Sequence, residues 1–166
     1  MNAHLQKAID CLSIEDIYLR NSSSVVADGF EPKYQGKNAE FQVQFKHLVE
    51  RVEVVELESE DKSPQNLMRV YIQVGCRLLA NDESEAGDKP GDDFLVQIEA
   101  QYITEYKMTE TLEQEAIDAF ALNNASYHVW PYWREYIMNQ CMRMNLPKIA
   151  LPATQLAHNR HADSDS

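Results

Sequence analysis

The sequence predicts an α+β fold: an antiparallel sheet with helices packed on one face and a long amphipathic helix near the C-terminus. Three observations predict it. Apolar and polar residues alternate along several stretches between Ile14 and Tyr102, the period of half-buried strands. From Thr111 onward the alternation gives way to helical spacing. Strands followed in sequence by helices favour segregated layers over an alternating βα arrangement.

Taken in order, Ile14–Leu19 reads as a strand and Asn21–Ser24 as a polar break. Asp28–Asn38 holds Gly29, Gly36 and Pro32 and reads as a long loop. Phe41, Val43 and Phe45 then alternate with polar neighbours, and Val52–Leu57 continues the strand beyond a bend or bulge near His47–Glu50. Glu58–Asn66 is charged, contains Pro64 and should turn. Val70, Ile72, Val74, Cys76 and Leu78 form the cleanest alternation in the chain. Asn81–Asp93 is acidic and glycine-bearing, a mobile hairpin loop on this reading. Val96, Ile98, Ala100 and Tyr102 mark the next strand.

Thr111 and Gln114 stand at capping-box spacing, and Ile117, Phe120 and Ala121 mark the buried side of a short helix. Pro131 suits the first turn of the long helix, where its missing N–H costs nothing. Trp133, Ile137, Cys141 and Met144 form an apolar stripe, widened by Tyr132 and Tyr136, while Glu135, Asn139 and Arg143 lie on another side. Asn145 suits a left-handed helix end. Pro147 and Pro152 forbid further helix, so Leu146, Ile149 and Leu151 should lie on an extended strap. The chain reads as one domain over residues 1–156, with 157–166 a disordered polar tail.

With 44% hydrophobic residues, the 166-residue chain can bury a substantial core. Its net charge of -12 disfavours nucleic acid, whose phosphates require clustered Lys and Arg. That acidity solubilises the surface, and it could also steer basic, unfolded partners. Cys11, Cys76 and Cys141 are widely spaced without a CxxC pair, which favours reduced thiols in a cytoplasm. Neither a basic-then-apolar leader nor a long apolar run is present, so secretion and membrane insertion are not expected. Convergent polar groups for catalysis are not evident, and neither is a phosphate-binding glycine loop. The pair Asp92 and Asp93 reads as solvated, and His158 with His161 and Asp163 is too sparse a donor set for a metal site. No enzyme, cofactor or metal is therefore expected.

The most informative stretch is Ala125–Pro152, which packs Tyr127, Trp130, Tyr132, Trp133 and Tyr136 together and follows them with methionines. Trp133, Ile137 and Cys141 belong under the sheet. A second set, Tyr34, Trp130, Tyr132, Leu146, Ile149 and Leu151, stands on the loop, the helix start and the strap. These residues suit either a core or the wall of an apolar groove that grips extended chains, with Phe41, Val43 and Phe45 of the adjoining strand beside them.

The motifs WPYWRE (Trp130–Glu135) and NLPKIALP (Asn145–Pro152) resemble the SecB family of export chaperones. There a similar aromatic-Pro-Tyr segment opens the long helix and a Leu-Pro strap follows. DFLVQIEAQYITEY, TLEQEAIDAFALNNA, IEDIYLRNSS and KYQG extend the resemblance over Ile9–Leu156, the last on the crossover loop. It implies a sheet of four antiparallel strands, a homotetramer built as a dimer of dimers, and an ATP-independent holdase that delivers unfolded polypeptides to the translocase. It also implies peptide contacts at the aromatic and strap residues above, and docking of the motor SecA near Asp16 and Leu95.

Three departures bear on this. Arg20 and Gln97 replace acidic docking positions, and the family's second apolar helix is truncated or absent after Leu156. The lost acidic positions motivate an alternative expectation, a SecB-like chaperone dedicated to one client such as an antitoxin. A third reading from the residues is a small-ligand-binding α+β domain whose aromatics line a closed pocket.

Overall fold

The computed structural model describes residues 2–37, 39–58, 60–61, 63–81, 93–153 and 158–159. A short helix α1 (Ala3–Cys11) leads into β1 (Leu12–Val26), and a crossover carries α2 (Pro32–Gln35) to β2 (Phe41–Leu57). β3 (Gln65–Ala80) and β4 (Val96–Met108) follow as an antiparallel meander. Then come α3 (Gln114–Phe120), a π-helical turn (Ala121–Ala125) and α4 (Ser126–Arg143), which together make one continuous helical rod. The strand order is β1-β4-β3-β2, all antiparallel, with a two-residue β5 (His158–Asn159) running parallel beside β2.

Strand alternation sorts the core. Met68, Val70, Ile72, Val74, Cys76 and Leu78 of β3 are buried in one cluster with Ala116, Phe120, Val129, Trp133, Ile137 and Cys141 of the helices. Trp133 and Ile137 are fully buried; burying such side chains stabilises by about 1.5–3 kcal/mol each. On the opposite face Tyr71 is only 2% exposed, because arginines cover it. The Arg51 guanidinium lies 3.9 Å from its ring centre, with Arg69 and Arg20 at 5.5 and 5.8 Å. Arg69 also donates to Tyr18 Oη at 2.9 Å and pairs with Glu105 at 3.2 Å.

Several sequence expectations are corrected. β1 runs straight through Asn21–Ser24, because the backbone keeps its pairing with Ile98–Gln101 of β4 and an outer strand tolerates polar side chains. The expected break shrinks to a register irregularity at Arg20. Within the expected loop over Asp28–Asn38, Pro32–Gln35 close a helical turn. Pro131 does not start the long helix but sits inside it. Burial of Ala125, Val129 and Trp130 holds the preceding turns helical, overriding the local preference. The capping box is not formed: Glu113 is the cap residue, without a side-chain bond, and Gln114 bonds Asp118 at 2.8 Å instead. The bulge in β2 falls at Glu50, between Val49 and Arg51, within the expected window. Asn145 adopts φ 53° at the helix end as expected. The acidic loop, residues 82–92, lies outside the described residues, as do most of 157–166. Within that expected disordered tail, however, His158–Asn159 pair with β2.

Candidate functional site

The site that the sequence singles out is built from three pieces: the crossover, the first half of β2 and the strap after α4. α4 ends where Leu146 N–H donates to Cys141 O at 2.9 Å. Pro147 and Pro152 then keep the chain extended. The strap is pinned along its length. Ile149 is only 5% exposed, Trp130 Nε1–H donates to Pro152 O at 3.0 Å, and Arg134 donates to Ala153 O at 3.3 Å. Trp130 also stacks on the buried His47 ring of β2, with ring centres 5.3 Å apart. The crossover meets the strap at Gly36, where a Cβ would lie 3.5 Å from the Pro147 ring and 2.6 Å from Pro32 O. The Pro147 distance is ordinary contact; it is the Pro32 carbonyl of the same turn that a Cβ would crowd, which favours glycine there.

Of the sequence-predicted peptide-binding residues, Trp130 and Ile149 are buried in the single chain and serve as anchors of the strap. Leu146, Leu151, Phe41 and Phe45 are half-buried against the core. Phe41 packs edge-on against Phe30 of the crossover at 5.9 Å. Tyr34 stands open at 77% exposure with Lys33 over its ring, and Val43 is 38% exposed. Tyr132, 47% exposed, lies at 6.5 Å from Tyr102, whose hydroxyl donates to Tyr132 O at 3.3 Å. Crossover, β2 and strap therefore converge.

The docking positions Asp16 and Leu95 are not brought together. Asp16 is level with Glu105 on β4 and accepts from Ile17 N–H at 2.8 Å. Leu95 precedes β4 altogether, bonded to Ala27 and Leu78, so most of the strand separates the two. Arg20 turns toward Tyr71, and Gln97 accepts from Arg77 Nε–H at 2.7 Å.

A second apolar surface escaped sequence reasoning. Tyr127, Met138 and Met142 of α4 are well exposed. Met138 and Met142 line an open cleft of about 330 Å³ with Pro131, Arg134, Glu135 and Asn139. The signal was present: Met138 and Met142 stand four residues apart, off the Trp133 stripe.

Electrostatically the site is quiet. All three cysteines are buried free thiols. Burial pushes Cys76 up to about 12 and raises Cys141, while the Glu110 carboxylate that accepts the Cys11 S–H at 3.0 Å raises Cys11. These thiols stay protonated at neutral pH, which makes them poor nucleophiles. At the helix–sheet contact, burial raises Tyr106 and lowers His128. Tyr106 Oη and His128 Nδ1 share a hydrogen bond there, at 2.7 Å. Among the described residues, no helix is long and apolar enough to cross a membrane.

The architecture is that of a SecB-like α+β fold: four antiparallel strands with helices on one face and a long C-terminal helical rod. Among solved structures it is similar to the Mycobacterium tuberculosis SecB-like chaperone Rv1957 in complex with a ChAD peptide from the Rv1956 HigA1 antitoxin. The TM-score is 0.59 at 14% identity, covering 95% of this chain and 100% of that one. At this identity the likeness is one of fold. No family model and no curated protein sequence matches the chain.

Proposed function

We propose that this protein is an ATP-independent chaperone that holds non-native polypeptides in extended form and does no chemistry of its own. The observation that carries the reading is the convergence of crossover, β2 and strap on a SecB-like scaffold, with Tyr34 and Val43 left open beside half-buried Leu146 and Leu151. Such a surface binds through many weak apolar contacts, which suits clients of varied sequence. Three buried, reduced thiols accord with work in the cytoplasm. The test is aggregation of a chemically unfolded, unrelated protein on dilution without ATP. Suppression near stoichiometric amounts is expected, and it should be lost in a folded Tyr34→Ser/Val43→Ser variant. No suppression would reject a general holdase.

A narrower reading is favoured by the docking positions. Arg20 and Gln97 stand where the resemblance calls for acidic groups, and Asp16 and Leu95 are far apart on the sheet. This supports a chaperone dedicated to one client over one that delivers preproteins to SecA. The similar Rv1957 structure holds an antitoxin peptide, so an antitoxin is the client class to test first. Protection of one such client, with no measurable SecA binding, is the expected result. Tight SecA binding would restore the export role.

A further inference from the structure

The face of the sheet turned away from the helices carries a small apolar patch of its own. Tyr71 and Ile103, paired across β3 and β4, are almost wholly buried, yet they stand outside the helix-side core. Three of the chain's seven arginines gather on the Tyr71 ring: Arg51 at 3.9 Å from its centre, Arg69 at 5.5 Å and Arg20 at 5.8 Å. A guanidinium stacked on an aromatic face keeps its in-plane N–H donors available to a planar anion.

The neighbouring carboxylates do not use up these donors. Glu53 accepts from the Tyr71 hydroxyl at 3.1 Å and from Arg51 at 2.8 Å, and it pairs with Arg69 at 3.7 Å, so one carboxylate serves two guanidiniums. Arg69 is held further by Glu105 at 3.2 Å and by Tyr18 Oη at 2.9 Å. Asp16, level with Glu105, turns its carboxylate to Ile17 N–H. Arg51 stays half-exposed. Arg20 is exposed and, among the described residues, joins no ion pair. Three guanidiniums thus face Glu53 and Glu105 in a chain whose net charge is -12. Positive charge is left over at Arg20 and Arg51, and the Tyr71 ring and Glu53 hold Arg51 in place, which lowers the entropy lost on binding.

We propose that Arg20 and Arg51, stacked on Tyr71, form a docking site for an acidic, extended segment of a partner protein. The two guanidiniums lie 5.8 and 3.9 Å from one ring centre, so their separation cannot exceed the sum of those distances. Side chains on one face of an extended chain stand ~7 Å apart, and two carboxylates so spaced can each meet one arginine in a bidentate pair. Charge complementarity selects this occupant, because the acidic remainder of the surface repels such a segment and steers it here. Glu53 and Glu105, fixed beside the arginines, oppose the unbroken phosphate row of a nucleic acid. An anionic membrane would meet the full net charge of -12. Arg and Tyr are also the residue types that carry most binding energy at protein interfaces. The site lies on the sheet face opposite Phe45 and Ile149, which belong to the helix-side core. It therefore does not rest on the chaperone reading.

The experiment titrates the full chain with three fluorescein-labelled peptides, in which threonine alternates with aspartate, asparagine or lysine, and follows anisotropy at low and at physiological salt. The aspartate peptide alone should bind, and more weakly as salt rises. Arg20→Gln and Arg51→Gln should each weaken it by roughly 3- to 10-fold, while Arg143→Gln on α4 should leave it unchanged. Arg20 is exposed, so its variant should fold, which a thermal melt checks. The charge-reversed Arg20→Glu/Arg51→Glu chain should prefer the lysine peptide, a reversal that loss of structure does not produce. Equal binding of the aspartate and asparagine peptides, no binding of either, or an affinity that neither arginine changes overturns the inference. Arginine-dependent binding of a thymidine oligonucleotide or of phosphatidylserine vesicles in preference to the aspartate peptide overturns it too, and reassigns the site. Each of these failures leaves the chaperone reading standing.

Discussion

At the scale of the residue, His128 is the side chain whose behaviour the structure dictates most directly. Its Nδ1 is hydrogen-bonded to Tyr106 Oη, and it lies near Phe120, 6.4 Å from that ring. Burial favours its neutral form in the folded protein, so its folded pKa lies below the ordinary histidine value of about 6.5. The unfolded chain then binds the proton more readily. The stability contributed is fully present above the ordinary value and is lost as pH falls through the lower, folded one. Thermal melts should therefore drop between neutral and mildly acidic pH, and the drop should shrink in His128→Gln. An identical drop in the variant would assign the acid sensitivity to other groups.

At the scale of the element, the strap is the piece to probe. Trp130→Phe keeps an aromatic ring over His47 but removes the indole N–H that bonds Pro152 O. A loss of about 1 kcal/mol in urea unfolding is expected, together with faster proteolysis at Lys148. Unchanged proteolysis would mean that Ile149 alone holds the strap. The elements were unequally legible in the sequence. β3 declared itself because both its faces are shaped by burial, one by the helices and one by the arginines over Tyr71. β1 did not, since a strand paired on one side asks little of its side chains and Asn21–Ser24 look like a turn. Pro131 misled because its local preference for a first turn was overruled by burial on both sides of it, which no short window registers. The aromatic and strap residues of the candidate site were visible as residue types. Which of them face solvent was not, because Trp130 and Tyr34 differ only in what folds against them.

At the scale of the whole molecule, the exposed faces predict self-association. Tyr127, Met138 and Met142 on α4 and Leu19 on β1 leave more apolar surface open than a single chain needs, and the SecB resemblance implies a dimer of dimers. Light scattering should give four times the chain mass of 19.1 kDa, and Met138→Glu/Met142→Glu should yield a smaller species. A monomer in the unaltered protein would exclude the tetramer.

The strand order also dictates a timetable for synthesis. β1 and β2 are consecutive in the chain but lie at opposite sides of the four-stranded sheet, and β1 pairs with β4 alone. β2 and β3 can close as a hairpin as soon as both leave the ribosome. β1, the first strand to emerge, must wait for β4, the last of the four. Through that interval Leu12, Ile17 and Val26, which pack against the core in the finished fold, stay uncovered on an unpaired strand. A chain read here as a guardian of unfinished polypeptides thus passes through the same vulnerable state each time it is made.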